Sequence, residues 1–141
     1  MEGLPPIDVQ DREARARLQL VEHGVDALIV TSPTNIRWLT GFAGSNATVV
    51  VANEGLTLIT DSRYQDRAPA ELEAVGSSAE IEIARAKLGE AVRHSVGRAE
   101  MVGLEADHVS WAQMQIIDSD WLPDQTLVGT TALLDLSLIH I

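Results

Sequence analysis

Hydrophobic positions change period several times along this chain, and each change marks an expected element. From Gln10 to His23, Ala14, Leu18 and Val21 recur at helical spacing, while Arg12, Glu13, Arg15 and Arg17 mostly fall elsewhere. That pattern predicts a first helix with an Ala14–Leu18–Val21 apolar face, capped by Asp8 or Asp11 and stopped at Gly24. Ala27-Leu28-Ile29-Val30 is a continuous apolar run, as expected of a strand covered on both faces. Ser32 can cap the next helix, Pro33 suits its first position, and Gly41 ends it just beyond Trp38. Ala47 to Asn53 and Leu56 to Thr60 are β-prone, and Asn53-Glu54-Gly55 between them predicts a tight hairpin. Ser62 to Ala74 reads as one helix with a kink at Pro69. Ala79 to Ala84 alternates Ile81 and Ile83 with Glu80 and Glu82, the pattern of a strand with one wet face. A helix over 88–96 closing at Gly97, a strand over 101–105, a helix over 110–117 and a strand over 126–130 complete the series.

The order αβαββαβαβαβ, with a hairpin inside it, implies an α/β fold whose mixed β-sheet is flanked by helices on both faces. One domain is expected over residues 1–132. The residues that follow, Leu133 to Ile141, read LLDLSLIHI with Asp135 as their single charge. Exposed apolar ends invite association, so this tail reads as an incomplete segment rather than a finished terminus.

Length and charge narrow the functional classes. At 141 residues the chain is long enough for a real core, and the absence of cysteine removes disulfides and thiolate chemistry and favours a cytoplasmic setting. The formal net charge of −11 repels phosphate backbones and anionic lipid, which argues against nucleic-acid and membrane-surface partners. Runs such as Val49-Val50-Val51-Ala52 are far shorter than the roughly 18 residues a membrane span requires.

Catalytic signatures are sparse. His23, His94, His108 and His140 occur singly, never as HxH or HExxH. Glu105-Ala106-Asp107-His108 offers three oxygen or nitrogen donors, but a strand end turning into a helix capped by Asp107 accounts for it better. Asp107 and Asp118 have the eleven-residue spacing of some dinuclear sites, yet the stretch between them is predicted helical. Ser45 reads as a turn serine, with no GxSxG elbow around it, and Gly41 to Ser45 matches neither nucleotide-binding loop. Arg37 and Trp38, about 100° apart on a helix, face different surroundings. Trp38 is expected in the core, and Arg37 either at the surface or aimed at a carboxylate. Asp61 is expected to cap the helix that carries Arg63 and Tyr64. Trp111 and Trp121 suit core or interface equally.

Four phrases, in order, resemble one family. Thr31 to Phe42 (TSPTNIRWLTGF) is similar to a segment of Xaa-Pro dipeptidases and aminopeptidase P. So are Gly44 to Ala47 (GSNA), Leu58 to Tyr64 (LITDSRY) and Gly103 to Ser110 (GLEADHVS), and the likeness covers about residues 10 to 135. The resemblance implies a creatinase/prolidase-type N-terminal domain, ribonuclease H-like in fold. In the family such a domain precedes a pita-bread catalytic domain whose two Asp, one His and two Glu hold two divalent metal ions, Mn or Zn. It further implies no catalytic residue, metal ligand or cofactor in this chain, and homo-oligomer formation with screening of the active-site mouth. Arg37 is the candidate for a substrate contact across subunits. A stand-alone binding module of the same fold, or the N-terminal domain of a creatinase-like C–N hydrolase, are the competing readings.

Overall fold

The computed structural model describes residues 9–44, 46–53, 55–84 and 87–130. Asp8, Ser45, Glu54, His140 and the apolar tail from Leu133 lie outside the described residues. Among the described residues, five helices and six strands follow one another as α1 (Val9–His23), β1 (Ala27–Val30), α2 (Pro33–Thr40), β2 (Ala47–Ala52), β3 (Gly55–Thr60), α3 (Arg67–Ala74), β4 (Glu80–Ile83), α4 (Leu88–Val96), β5 (Met101–Glu105), α5 (Trp111–Ile116) and β6 (Thr126–Thr130). The strands form one sheet in the order β4-β3-β2-β1-β5-β6. β2 is antiparallel to both of its neighbours, β1 and β3, whereas the β3–β4, β1–β5 and β5–β6 pairs are parallel. Five strands therefore point one way and β2 alone points back. The mixed α/β architecture expected from the sequence is the one observed.

Alternation along the central strands sends side chains to two separate cores. Leu28, Val30, Val49, Val51, Leu56 and Leu58 pack with Ala16 and Leu20 of α1, Ile36 and Leu39 of α2, and Ala68 and Leu72 of α3. Ile29, Val50 and Ile59 face the other way, onto Ala91, Val92 and Val96 of α4 and onto Ile117 and Leu122. The apolar runs are continuous because both faces are covered.

Most local signals act as their chemistry suggests. The Ser32 hydroxyl accepts the Asn35 N–H at 3.4 Å, Pro33 opens α2, and Gly41 closes it with φ 81°. β2 and β3 pair antiparallel with Ala52 opposite Gly55, the hairpin expected between them.

Four expectations are corrected. The Ala14–Leu18–Val21 stripe does not face the core: Leu18 is 63% and Val21 75% exposed, and the inward face of α1 carries Ala16, Leu20 and a buried Glu13. Glu13 is tolerated there because the Ser77 and Ser78 hydroxyls donate to its carboxylate at 3.0 and 3.2 Å. Residues 62–74 are not one kinked helix. A 3₁₀ turn over Ser62–Tyr64 precedes α3, and Pro69 sits in the first turn of α3, where a missing N–H costs nothing. Ser110, not Asp107, caps α5, its hydroxyl accepting the Gln113 N–H while the Gln113 side chain accepts the Ser110 N–H. Trp38 is half-buried rather than core, with the Arg12 guanidinium 5.0 Å above its ring.

Trp111 and Trp121 have different fates. α5 runs on into a π-helical turn, Ile117–Trp121, which rotates Trp121 onto α4 and leaves Trp111 75% exposed. Gly89 makes room for that contact: a Cβ there would lie 2.3 Å from Trp121 Cδ1.

Candidate functional site

The five co-directional strands end at one edge of the sheet, and β2 begins there. Ligands of open α/β sheets gather at the carboxyl ends of strands. All four family-like phrases meet at this edge: the β1–α2 junction, the loop into β2, the end of β3 with its following turn, and the end of β5. β6 also runs out to this edge at Thr130.

Glu105, at the end of β5, ties the edge together. Its side chain is buried, at 7% exposure, and takes the Thr31 and Ser32 N–H groups on Oε1 at 2.6 and 2.8 Å. The Asn35 amide donates to Oε2 at 2.6 Å. One carboxylate thus fixes the start of α2 against a neighbouring parallel strand, and with it the helix that bears Arg37. Asp107 and His108, by contrast, are exposed in the turn beyond, and Asp118 is exposed on the π-helical turn. The eleven-residue Asp spacing brings nothing together.

Behind α2 the chain is pinned residue by residue. Thr40 Oγ1 donates to the Ile36 carbonyl at 2.8 Å and accepts the Phe42 N–H at 3.1 Å. The Ala43 N–H donates to Glu71 at 2.8 Å, and Thr60 Oγ1 donates to the Asn46 carbonyl. Gly44 is required by close approach, since a Cβ would meet the Phe42 ring at 2.2 Å and Tyr64 at 3.0 Å. Phe42 and Tyr64 pack edge to face, with centroids 5.3 Å apart.

Two arginines flank this aromatic pair, and a third, Arg37, acts on the same Glu71 carboxylate as one of them. Arg63 grips Asp61 through Nε and Nη2 at 3.1 and 2.9 Å, and Asp61 also accepts the Arg63 N–H, the capping role expected of it. With the Asn46 amide as a second donor, the Arg63 guanidinium holds the Asp61 carboxyl well below the usual carboxylate range. Arg67 is paired with Glu71, one helical turn on. Burial pushes the Glu71 carboxyl up, but the Ala43 N–H, Arg67 and the charge of Arg37 together draw it below its ordinary value. Arg63 and Arg67 each lie 5.5 Å from the Tyr64 ring.

Arg37 differs from both. It is exposed, feels the Glu71 charge, and its side chain makes no hydrogen bond or ion pair with any described residue. A guanidinium offers a rigid fork of donors that matches a carboxylate. Of these three arginines, Arg63 and Arg67 are neutralised by Asp61 and Glu71, and Arg37 alone makes no side-chain hydrogen bond or ion pair with a described residue.

No three His, Asp or Glu side chains among the described residues converge to hold a metal ion. An open groove of about 820 Å³ lies at the opposite edge of the sheet, lined by Glu13, Arg17, Thr57, Glu80, Glu82 and His94. Its walls come from the β2–β3 hairpin end, β4, α1 and α4. No described helix is long and apolar enough to cross a membrane.

Comparison with known proteins bears on the family and the fold. Residues 12–136 match the family described as Creatinase/Prolidase N-terminal domain. An uncharacterized peptidase, YqhT, of Bacillus subtilis (strain 168) is 42% identical over 45 residues, covering 32% of this chain and 13% of that protein. The aminopeptidase P (Xaa-Pro aminopeptidase) structure from Streptococcus thermophilus is 32% identical with a TM-score of 0.78, covering 91% of this chain and 96% of that one. A Xaa-Pro dipeptidase from Bacillus anthracis has the same fold, with a TM-score of 0.82 at 22% identity, covering 92% of this chain and 36% of the dipeptidase. The chain thus spans only about a third of that dipeptidase's length. With the sheet order, the phrases at its carboxyl edge and the extent of the match in agreement, the chain belongs to the Creatinase/Prolidase N-terminal domain family.

Proposed function

We propose that this chain is the non-catalytic N-terminal domain of a cytoplasmic, proline-specific metallopeptidase, an Xaa-Pro aminopeptidase or dipeptidase. Bond cleavage is assigned to a downstream catalytic domain that holds two divalent metal ions, Mn or Zn. The domain serves oligomer formation and shapes access to the active site, its carboxyl edge turned towards the substrate of a neighbouring subunit. The observation that carries this reading is the open Arg37 guanidinium on a helix locked in place by Glu105, at the edge where all four family-like phrases meet. In its role Arg37 binds the terminal carboxylate of a short peptide.

The test is Arg37→Ala in the intact two-domain enzyme, assayed on a free-carboxylate substrate and on its amide. Loss of a charge-assisted contact made in the ground state should raise KM for the free acid about tenfold or more and leave the amide little changed. Equal KM values for wild type and variant on both substrates would remove Arg37 from the site.

A further inference from the structure

The exposed stripe on α1 has no function within the fold just described. Ala14, Leu18 and Val21 lie along the outward side of the helix, and Leu18 and Val21 are two of the four large apolar side chains exposed among the described residues. We infer that this face is the contact through which two copies of the chain pair, α1 against α1 and antiparallel about a twofold axis at Leu18. The inference rests on the oligomerisation proposed above and gives it a surface.

The stripe is self-complementary in that arrangement. When antiparallel helices cross at Leu18, a residue some positions before it meets one the same distance after it on the partner. Val21 lies three positions after and Ala14 four before, so the large side chain of each copy sits over the small one of the other. Leu18 meets its own symmetry mate. Arg15 lies three positions before and Glu22 four after, both on the same flank of the stripe, so each arginine faces the partner's glutamate. Arg15 already has a contact inside its own chain, and the pairing adds to it.

Net charge favours the same surface. The chain carries −11 overall, so two copies repel across most of their area. α1 (VQDREARARLQLVEH) sets three arginines against three carboxylates and is neutral. Its balanced charge lets two copies meet there with little electrostatic penalty. A single helix pair buries less than the roughly 1,000 Å² of a stable interface, so the isolated chain should associate weakly, with a Kd of roughly 100 µM.

Sedimentation equilibrium of the chain over a wide concentration range, with circular dichroism as a folding control, tests the inference. The wild type should dimerise, and Leu18→Arg should stay monomeric at the highest concentration. Arg15→Glu and Glu22→Arg should each weaken pairing about tenfold, because each places two like charges together. Mixing these two variants one to one restores both opposite-charge pairs, and should return association to within about threefold of the wild type. A wild type that is monomeric throughout would overturn both this surface and self-association by the domain alone, leaving the stripe to another occupant such as a downstream domain. Association that persists in Leu18→Arg, or a mixture no tighter than its components, would overturn the α1 surface while leaving oligomerisation through another face intact.

Discussion

Removing the Glu105 carboxylate should loosen the whole carboxyl edge, and the cost can be worked from its contacts. Three short hydrogen bonds converge on it, from the Thr31 N–H, the Ser32 N–H and the Asn35 amide. Hydrogen bonds to charged groups contribute about 1.5–3 kcal/mol each and neutral ones about 0.5–1.5 kcal/mol. Glu105→Ala removes the acceptor of these three donors and of the Thr31 hydroxyl, 3.4 Å from Oε1, in a partly buried site, for a loss of about 3 kcal/mol. Glu105→Gln keeps an oxygen for the two main-chain donors but sets an amide NH₂ against that of Asn35, for a loss of about 2 kcal/mol. Asn35→Asp sets two carboxylates 2.6 Å apart and should cost a similar amount. When both substitutions are combined, the amide introduced on β5 donates to the carboxylate introduced on α2, and the pair is restored in reverse. Urea unfolding followed by circular dichroism should therefore give a double-variant loss smaller than the sum of the singles by about 1 kcal/mol or more. Additive losses, or a Glu105→Ala variant within about 0.5 kcal/mol of wild type, would show that the carboxylate does not hold α2.

Other substitutions test other parts of the account. Gly89→Ala gains about 1 kcal/mol of helix propensity but drives a Cβ into the Trp121 indole, an overpacking cost of about 1–3 kcal/mol. A net loss of stability with a red-shifted tryptophan emission is expected, and net stabilisation would contradict the packing described. Glu71 has a lowered folded-state pKa, so its contribution to stability is present above the ordinary value of 4.5 and is lost as pH falls through the folded value. Wild type and Glu71→Gln should therefore differ in Tm at pH 7 and converge as pH falls well below the ordinary carboxylate value, whereas a gap that widens on acidification would reverse the sign of the argument.

Much of the architecture was readable because its determinants are local. Ser32 and Pro33 at one end of α2 and Gly41 at the other bracket eight residues, and Asn53 to Gly55 fix a hairpin between two valine- and leucine-rich strands. What the sequence hid lies in contacts made across long separations. Ala16 and Leu20 lose to Ala14, Leu18 and Val21 on a count of apolar positions along α1, and only the folded chain shows Glu13 turned inward. Its two serine partners are 64 and 65 residues away, and without them a buried glutamate would be expected at the surface. Glu105 is similar. Its donors lie 70 to 74 residues upstream, so a capping carboxylate looked like one more member of an acidic turn. Arg37 was legible as a candidate because it stands within a family-like phrase. Arg63 and Arg67 pair with near neighbours in sequence, whereas the lack of a side-chain hydrogen bond or ion pair at Arg37 among the described residues shows only in the folded chain.

The central claim is a division of labour in which this domain presents an edge and another domain cuts. Incubating the purified chain with Xaa-Pro peptides and added manganese or zinc measures that claim most directly. No release of the N-terminal residue above the uncatalysed rate is the expected result. Turnover by this polypeptide alone, abolished by a chelator and restored by metal, would place the chemistry in the wrong domain and end the account.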